Sequence, residues 1–232
     1  TRVTQVERTS AGYLVALQGP DGEERVEAER VLSAIGRAPN VENLGLEALG
    51  LRPTRKGIAV DDHLRTATPG VYAVGDVAAE GPMLAHVASR QGVVAVEHAL
   101  GHPARMDYTA IPSCIYSLPE AASVGLTEEQ ARAQGYDVKV GLFALPNNGK
   151  AVAMGDTDGF VKVVAEGQHG AILGVHIVGP HASDLILEGM LAISLEATWD
   201  EIENLGHPHP SLGEAIAEAA LAARERALHL PR

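Results

Sequence analysis

The order of predicted elements in the second half of the chain constrains its fold most strongly. Short apolar, β-branched runs typical of strands occupy residues 138–145, 160–165 and 172–178. Helical patterns follow only after the last strand, over residues 182–195, 198–205 and 211–229. A Thr-x-x-Gln capping pattern predicts one shorter helix before the strands, over residues 127–134. Because strands and helices are segregated along the chain, this region is predicted to be an α+β domain with an antiparallel sheet.

Residues 1–35 are predicted to form β-structure. A strong turn signal, Gly19-Pro20-Asp21-Gly22, separates two segments in which apolar and polar residues alternate. Val31–Ile35 is a continuous apolar run, which is typical of a strand buried on both faces.

The following region combines strand patterns with one long helix pattern. Short strands are predicted over residues 57–62 and 71–75. A helix is predicted from Met83 to Leu100, with Gly101 as a residue that can end it.

The segment from His207 to Glu214 has the composition of an oriented general base. It places imidazoles against prolines and a carboxylate five residues after His209, and such an acid can fix the tautomer of the ring. Metal binding by His207 and His209 is an alternative, but no third ligand is evident and no metal is expected. A structural alternative is a capping box, with Ser211 as the N-cap residue and Glu214 at the third helical position. Both roles of Glu214 are open at this point.

Composition excludes several classes of function. No apolar run reaches the roughly 18 residues that a membrane span needs, so no membrane association is expected. The net charge of −12 argues against binding to nucleic acid and to anionic membranes. The one cysteine, Cys114, cannot form an intramolecular disulfide, which predicts a reducing, cytoplasmic location.

The string from Thr66 to Asp76 ends a predicted strand with Gly75-Asp76. By itself, a Gly-Asp pair more often forms a simple turn than a ligand site. In a ligand site, the glycine lets the ligand approach the backbone, and the Asp carboxylate accepts a hydrogen bond from a ligand hydroxyl. The whole string, TATPGVYAVGD, resembles the second flavin-binding motif of the FAD-dependent pyridine nucleotide–disulfide oxidoreductases. In that family the residue matching Asp76 hydrogen-bonds the ribityl chain of FAD, so the resemblance implies the same role here.

Two further segments carry this resemblance. Met83-Leu84-Ala85-His86 opens the predicted helix, and in the family the backbone here faces the flavin ring, which the positive end of a helix suits. Taken alone, the His86 side chain is interpreted as structural rather than catalytic. The segment from Val31 to Asn40 resembles the end of the family's NAD-binding domain, where Gly36 would let chain and nucleotide come close.

The segment from His207 to Glu214 resembles the carboxyl-terminal active-site motif of the dihydrolipoamide dehydrogenases, one branch of this family. The resemblance implies that His209 is the base, Glu214 its acidic partner and His207 a neighbour. It implies oxidation of dihydrolipoamide at a redox-active disulfide, with electrons passing to FAD and then to NAD⁺. A homodimer is implied, because in the family the base reaches the disulfide of the other subunit.

The same resemblance implies a partner, the lipoyl-bearing acyltransferase subunit of a 2-oxoacid dehydrogenase complex. Acidic residues near Asp200, Glu201 and Glu203 are a candidate contact for a basic binding domain of such a complex. Alternative interpretations are another disulfide oxidoreductase of the family, such as glutathione or mercuric reductase, and a dimerisation module that is inactive by itself.

The chain lacks both the cysteine pair and the Gly-x-Gly-x-x-Gly loops of the family. The resemblance therefore implies a carboxyl-terminal half, with partial Rossmann-like α/β domains for NAD and FAD before a complete α+β interface domain. The predicted domains are the end of the NAD-binding domain over residues 1–38, the carboxyl-terminal part of the FAD-binding domain over 39–108, and the interface domain over 109–232.

Overall fold

The computed structural model describes residues 1–230, which divide into two compact units. The first unit is Thr1–Pro39, and the second begins at Asn40. Each unit has its own sheet, and each is described by itself below.

The first unit is a three-stranded antiparallel sheet with the second strand at its centre. Its strands are β1 (Arg2–Arg8), β2 (Tyr13–Gly19) and β3 (Gly22–Ala28). Gly19 pairs with Gly22 across the predicted turn, so that β2 and β3 form a tight hairpin. The β-structure predicted for residues 13–28 is confirmed.

Val31–Ile35 is not the buried strand that its composition predicts. The segment has no regular secondary structure, and Leu32 and Ile35 are 91% and 94% exposed. A strand is buried on both faces only when neighbouring strands and covering helices surround it. None of residues 1–230 pairs with this segment as a strand, so the apolar run stands without the packing that it predicts.

The second unit begins with an irregular region. The strands predicted over residues 57–62 and 71–75 are wrong as continuous elements. Only isolated bridges form there in the described chain, which join Gly57 to Thr54, Ile58 to Ala78 and Tyr72 to Arg65. A strand needs a neighbour that offers a row of hydrogen-bonding groups, and within the described chain this region finds such a partner at single positions only.

The long helix predicted after this region is confirmed. It is α1 (Ala85–Ala99), and it begins two residues later than Met83. Gly101 follows its end with φ +90° and donates its backbone N–H to the carbonyl of His98, which satisfies one of the last carbonyls of the helix.

The second sheet is antiparallel throughout and has the strand order β4-β5-β8-β7-β6. Its strands are β4 (Ser113–Ile115), β5 (Glu120–Gly125), β6 (Val138–Ala144), β7 (Phe160–Glu166) and β8 (Ile172–Gly179). The three strands predicted here lie within one or two residues of their expected bounds. The mixed fold class and the antiparallel α+β arrangement of this region are confirmed.

Helices cover both faces of this sheet. They are α2 (Glu128–Ala133), α3 (Gly149–Met154), α4 (Ala182–Ser194), α5 (Trp199–Asn204) and α6 (Glu214–Ala222). The capping box predicted at the start of α2 is present. In residues 1–230, none of the helices combines the length and apolar character that crossing a bilayer requires.

The main core lies between the sheet and the pair α4 and α6. Alternate side chains of β7, among them Val161 and Val163, face this core, whereas Val164 faces the other way and packs with Ala131 of α2. α4 packs on β5 and β8, and α6 packs on β6 and β7. Each fully buried aliphatic side chain in such a layer contributes about 1.5–3 kcal/mol.

α6 contacts the sheet through backbone at Gly141 in β6. A Cβ atom at this position would lie 1.7 Å from the carbonyl oxygen of Ala219 and 2.5 Å from the backbone nitrogen of Ala223. No side chain fits into this space, so the glycine sets how closely α6 approaches the sheet.

α6 is shorter than the helix predicted over residues 211–229. It ends at Ala222, and the chain then turns at Glu225, whose φ of +59° is incompatible with a continuing helix. The buried carboxylate of Glu218 accepts the backbone N–H groups of Leu228 and His229, which holds the returning chain against the helix.

Candidate functional site

The loop between α5 and α6 brings His209 and Glu214 together. Nδ1 of His209 lies 2.8 Å from Oε1 of Glu214. The His209 side chain is 77% exposed, whereas that of Glu214 is only 24% exposed. An ionised carboxylate can only accept a hydrogen bond, so Nδ1 carries the proton in the neutral ring. Nε2, which has no partner among residues 1–230, then holds the lone pair that a base needs.

The second carboxylate oxygen of Glu214 closes the loop. Oε2 accepts the backbone N–H of Ser211 at 2.8 Å. This hydrogen bond is one half of the predicted capping box. The other half, in which the Ser211 hydroxyl caps the helix as the N-cap residue, is wrong. Gly213 is the N-cap residue and provides no side-chain cap. The Ser211 hydroxyl is buried without a hydrogen-bond partner in the described part of the chain.

The physical reason lies in the first turn of α6. The backbone N–H of Ala215 donates to the carbonyl of Leu212, and that of Ile216 donates to the carbonyl of Gly213. These bonds start the helix after Ser211, and neither N–H is one that an N-cap Ser211 would take, so the first turn forms without the Ser211 side chain.

The charge of Glu214 suits an orienting role. Burial acts to raise the pKa of this carboxyl, but the hydrogen bonds from Ser211 and His209 outweigh it and hold the pKa below its ordinary value. The carboxylate is therefore ionised at neutral pH, where it fixes the tautomer of His209.

His207 belongs to a second imidazole–carboxylate pair, which the sequence did not predict. Its Nε2 lies 2.9 Å from Oε1 of Glu188 in α4, and its Nδ1 lies 3.2 Å from the carbonyl oxygen of Leu205. The side chains of His207 and Glu188 are 11% and 26% exposed. The available signal was a single acid, Glu188, within the otherwise apolar stretch 185–193 of α4.

Both ring nitrogens of His207 face acceptors, which suits a doubly protonated ring. The hydrogen bond to Glu188 is the main cause that raises the pKa of His207 above its ordinary value, although burial acts in the opposite direction. Among residues 1–230 no three His, Cys, Asp or Glu side chains are grouped so that they could hold a metal ion.

The segment predicted to bind flavin forms a tight turn. Residues 75–77 make one turn of 3₁₀ helix, which begins at Gly75 with φ +75°, a conformation that favours glycine. The backbone N–H of Gly75 donates to Oε1 of Gln91 in α1 at 2.7 Å. The Asp76 side chain follows directly and is exposed.

The start of α1 follows this turn. Leu84 is the N-cap residue and Met83 precedes it, and no side chain caps the helix. Ala85 and His86 form the exposed first turn, and Nε2 of His86 lies 3.0 Å from the carbonyl oxygen of Pro112. Uncapped amides at a helix start, together with an exposed carboxylate for a hydroxyl, are donors and acceptors that fit a flavin with its ribityl chain.

Gly36 lies in the exposed segment of the first unit that follows β3. Its φ is +137°, and a Cβ atom there would meet no atom within 4 Å. The structure shows no cradle for a nucleotide around this residue, so its role stays a prediction from the resemblance.

Comparison with known protein families gives two matches. A family model described as pyridine nucleotide-disulphide oxidoreductase matches residues 1–92, and the model of that family's dimerisation domain matches residues 111–220. The chain belongs to the pyridine nucleotide-disulphide oxidoreductase family. The resemblance seen in the sequence motifs is thereby confirmed at the level of the family.

Curated relatives with high identity within this oxidoreductase family are named dihydrolipoyl dehydrogenase. That of Bacillus subtilis is 50% identical over 203 residues, which are 87% of this chain and 43% of the relative. That of Halobacterium salinarum is 47% identical over 223 residues, which are 95% of this chain and 47% of the relative. That of Cupriavidus necator is 44% identical and covers 98% of this chain and 48% of the relative. The chain spans about half the length of these relatives.

Solved structures share the fold. The crystal structure of LpdA from Mycobacterium tuberculosis matches 94% of this chain and 47% of its own chain, with a TM-score of 0.85 and 34% identity. The flavoprotein disulfide reductase RclA from Escherichia coli matches with a TM-score of 0.81 at 22% identity, which bears on the fold alone.

Proposed function

We propose that this chain is the carboxyl-terminal half of a dihydrolipoamide dehydrogenase. The observation that carries the proposal is the hydrogen bond between His209 and Glu214, which leaves Nε2 of the imidazole available. Relatives of that name, at identities up to 50%, support the choice of this branch of the family. The domain limits follow the sequence prediction, with the NAD-binding part over residues 1–38, the FAD-binding part over 39–108 and the interface domain over 109–232.

His209 acts as the base in this proposal. A dihydrolipoamide thiol becomes a nucleophile when Nε2 of His209 takes its proton, and the thiolate attacks a disulfide of the enzyme. The imidazolium then faces the thiolate that leaves the disulfide and stabilises it. Glu214 keeps the ring in the productive tautomer and offsets the positive charge after proton transfer.

FAD is the cofactor that this chain would help to hold. The N–H groups at the start of α1 and the carboxylate of Asp76 would contact it, with Met83, Leu84, Ala85 and His86 beside the ring. When bound, FAD would supply the redox chemistry that carries the electron pair of the thiols to NAD⁺. Gly36, in the exposed segment after β3, would let the chain approach NAD⁺ closely.

A homodimer is part of the proposal. Leucines recur at every fourth position along α4, at Leu187, Leu191 and the C-cap residue Leu195, and their exposed fractions are 52%, 56% and 69%. Leu191 and Leu195, together with Leu205, line an apolar groove of about 430 Å³. An exposed apolar surface of this kind suits an interface with a second copy, and the match to a dimerisation domain supports that occupant.

The further partner is a lipoyl-bearing acyltransferase subunit of a 2-oxoacid dehydrogenase complex, in the cytoplasm. The acidic residues suggested as its contact are engaged within the chain. Asp200 and Glu203 both pair with Arg224, and Glu201 closes a capping box with Thr198. They therefore offer less charge to a basic partner than their number in the sequence indicates.

The test uses the intact enzyme that contains this chain. Purified protein is expected to show the visible absorbance band of bound flavin and to reduce NAD⁺ with dihydrolipoamide. Activity with glutathione disulfide and NADPH, or with mercuric ion, but not with dihydrolipoamide would assign the chain to another branch of the family. A protein with no flavin and no disulfide chemistry would favour the inactive dimerisation module.

A further inference from the structure

Gln91 is a buried polar residue on the core-facing side of α1. It is 1% exposed and lies on the same face as Val87, Val94 and Ala95, which are buried apolar residues. A side-chain amide in such a position costs free energy unless all of its hydrogen-bonding groups find partners. Its presence on an apolar stripe is therefore a feature that needs a physical explanation.

The amide of Gln91 has three hydrogen-bond partners outside α1. Its Oε1 accepts the backbone N–H of Gly75 at 2.7 Å. Its Nε2 lies 3.1 Å from the carbonyl oxygen of Glu80 and 2.9 Å from the hydroxyl of Tyr108. The amide oxygen accepts one hydrogen bond and the amide nitrogen donates two, so both N–H groups and the oxygen of this buried amide have partners.

Two of these partners are the ends of one loop. Gly75 begins the 3₁₀ turn that presents Asp76, and Glu80 lies five residues later, just before the approach to α1. The Tyr108 ring fixes the same end of the loop, because it lies so close to Gly81 that a Cβ atom there would come within 2.4 Å of the ring. The amide thus joins both ends of the loop to the helix that follows it.

We propose that Gln91 is a positioning residue for the flavin-binding loop, Gly75 to Glu80, and that its amide sets the place of Asp76 relative to the start of α1. The inference rests on the proposed function, since it assigns a role towards FAD. Gln91 itself does not contact the cofactor. It acts by holding the backbone from which Asp76 and the first turn of α1 reach a ligand.

Only a side chain with both an acceptor and donors can do this. Methionine at position 91 has nearly the same length and suits the apolar surroundings, but it leaves the N–H of Gly75 and the carbonyl of Glu80 without partners. Glutamate keeps the acceptor for Gly75 but brings a carboxylate against the Glu80 carbonyl, where no proton lies between them. The two substitutions therefore separate loss of polarity from loss of the donors alone.

The experiment measures FAD affinity and loop protection in the intact enzyme. The apoenzyme of wild type, Gln91→Met and Gln91→Glu is titrated with FAD, and hydrogen–deuterium exchange is followed in the peptide that contains residues 75–81. We expect the dissociation constant of FAD to rise about tenfold in both variants, which corresponds to about 1.4 kcal/mol. Exchange in this peptide should accelerate even without FAD. Tyr108→Phe, which removes one of the three partners, should have a smaller effect of about threefold.

Arg90→Ala is the matched control, because Arg90 is the exposed neighbour of Gln91 on the same helix. It should leave both measurements unchanged. FAD affinity within twofold of wild type in Gln91→Met and Gln91→Glu, with unchanged exchange at residues 75–81, would overturn the inference. If wild type itself binds no FAD, the proposed function fails, whereas the exchange measurement still decides whether Gln91 holds the loop.

Discussion

Two imidazole–carboxylate pairs lie on either side of Pro208. They differ in whether the rest of the chain leaves a ring nitrogen available. His207 is 11% exposed and uses both ring nitrogens within the chain, whereas His209 is 77% exposed and uses only Nδ1. The same pair of groups thus forms a ring held at both nitrogens in one case and an available base in the other. Burial and the second hydrogen bond, rather than residue type, decide between these roles.

The largest expected effect breaks the exposed pair. His209→Gln in the intact enzyme should lower the rate of flavin reduction by dihydrolipoamide by roughly 10²–10⁴, the range of a lost general base. Stability should hold, because the side chain is mostly exposed. Stopped-flow absorbance measures the rate, and His102→Gln, at another exposed histidine, is the control. Turnover close to wild type would remove His209 from the mechanism.

Breaking the buried pair should act on the fold instead. Glu188→Gln is expected to lower the free energy of unfolding by about 2 kcal/mol at about pH 6, since it weakens a charge-assisted hydrogen bond in a partly buried place. Denaturant unfolding measures this difference, with Glu129→Gln on the exposed side of α2 as the control.

The sign of the pH dependence follows from the pKa of His207, which the folded protein raises. The pair contributes its full stability below the ordinary pKa of histidine and loses it as the pH rises through the raised pKa of the folded state. The difference between wild type and Glu188→Gln should therefore shrink as the pH rises above about 6. A difference that grows with pH would show that Glu188 does not raise the pKa of His207.

Glu214→Gln tests the contribution of charge in the exposed pair. The amide oxygen can still accept the N–H of Ser211, so the loop should keep its stability within about 0.5 kcal/mol. The rate of flavin reduction should fall about tenfold, because the imidazolium loses the negative charge beside it. A variant that loses stability but keeps its rate would make Glu214 a structural residue of the helix start.

The smallest effect distinguishes the observed helix start from the predicted one. Ser211→Ala removes a buried hydroxyl without a partner and should leave stability unchanged or raise it by about 0.5–1 kcal/mol. An N-cap serine would instead lose about 1 kcal/mol on the same change. Thermal unfolding of the two proteins gives the sign, and a clear loss would restore the complete capping box.

The sequence was most informative where local pattern and packing agree. The strands β6, β7 and β8 and the helices α1 and α4 follow from periodicity, since each finds its neighbours within the described chain. The prediction for Val31–Ile35 is wrong for the opposite reason. The apolar pattern predicts burial, but no neighbouring surface in the described chain covers the segment. The pairing of His209 with Glu214 followed from spacing, whereas Glu188 could not be found this way, because it meets His207 from a helix 19 residues earlier.

The backbone contact at Gly141 has a consequence for how freely this domain can change its sequence. Core side chains between the sheet and α6 can exchange volume with one another, as long as their sum is kept. Position 141 has no such freedom, because one added methyl group would push α6 away from β6 as a rigid body. Glu214, the partner of His209, is the first residue of that helix. The position of this pair therefore depends on Gly141, a residue without a side chain that lies 68 residues before His209.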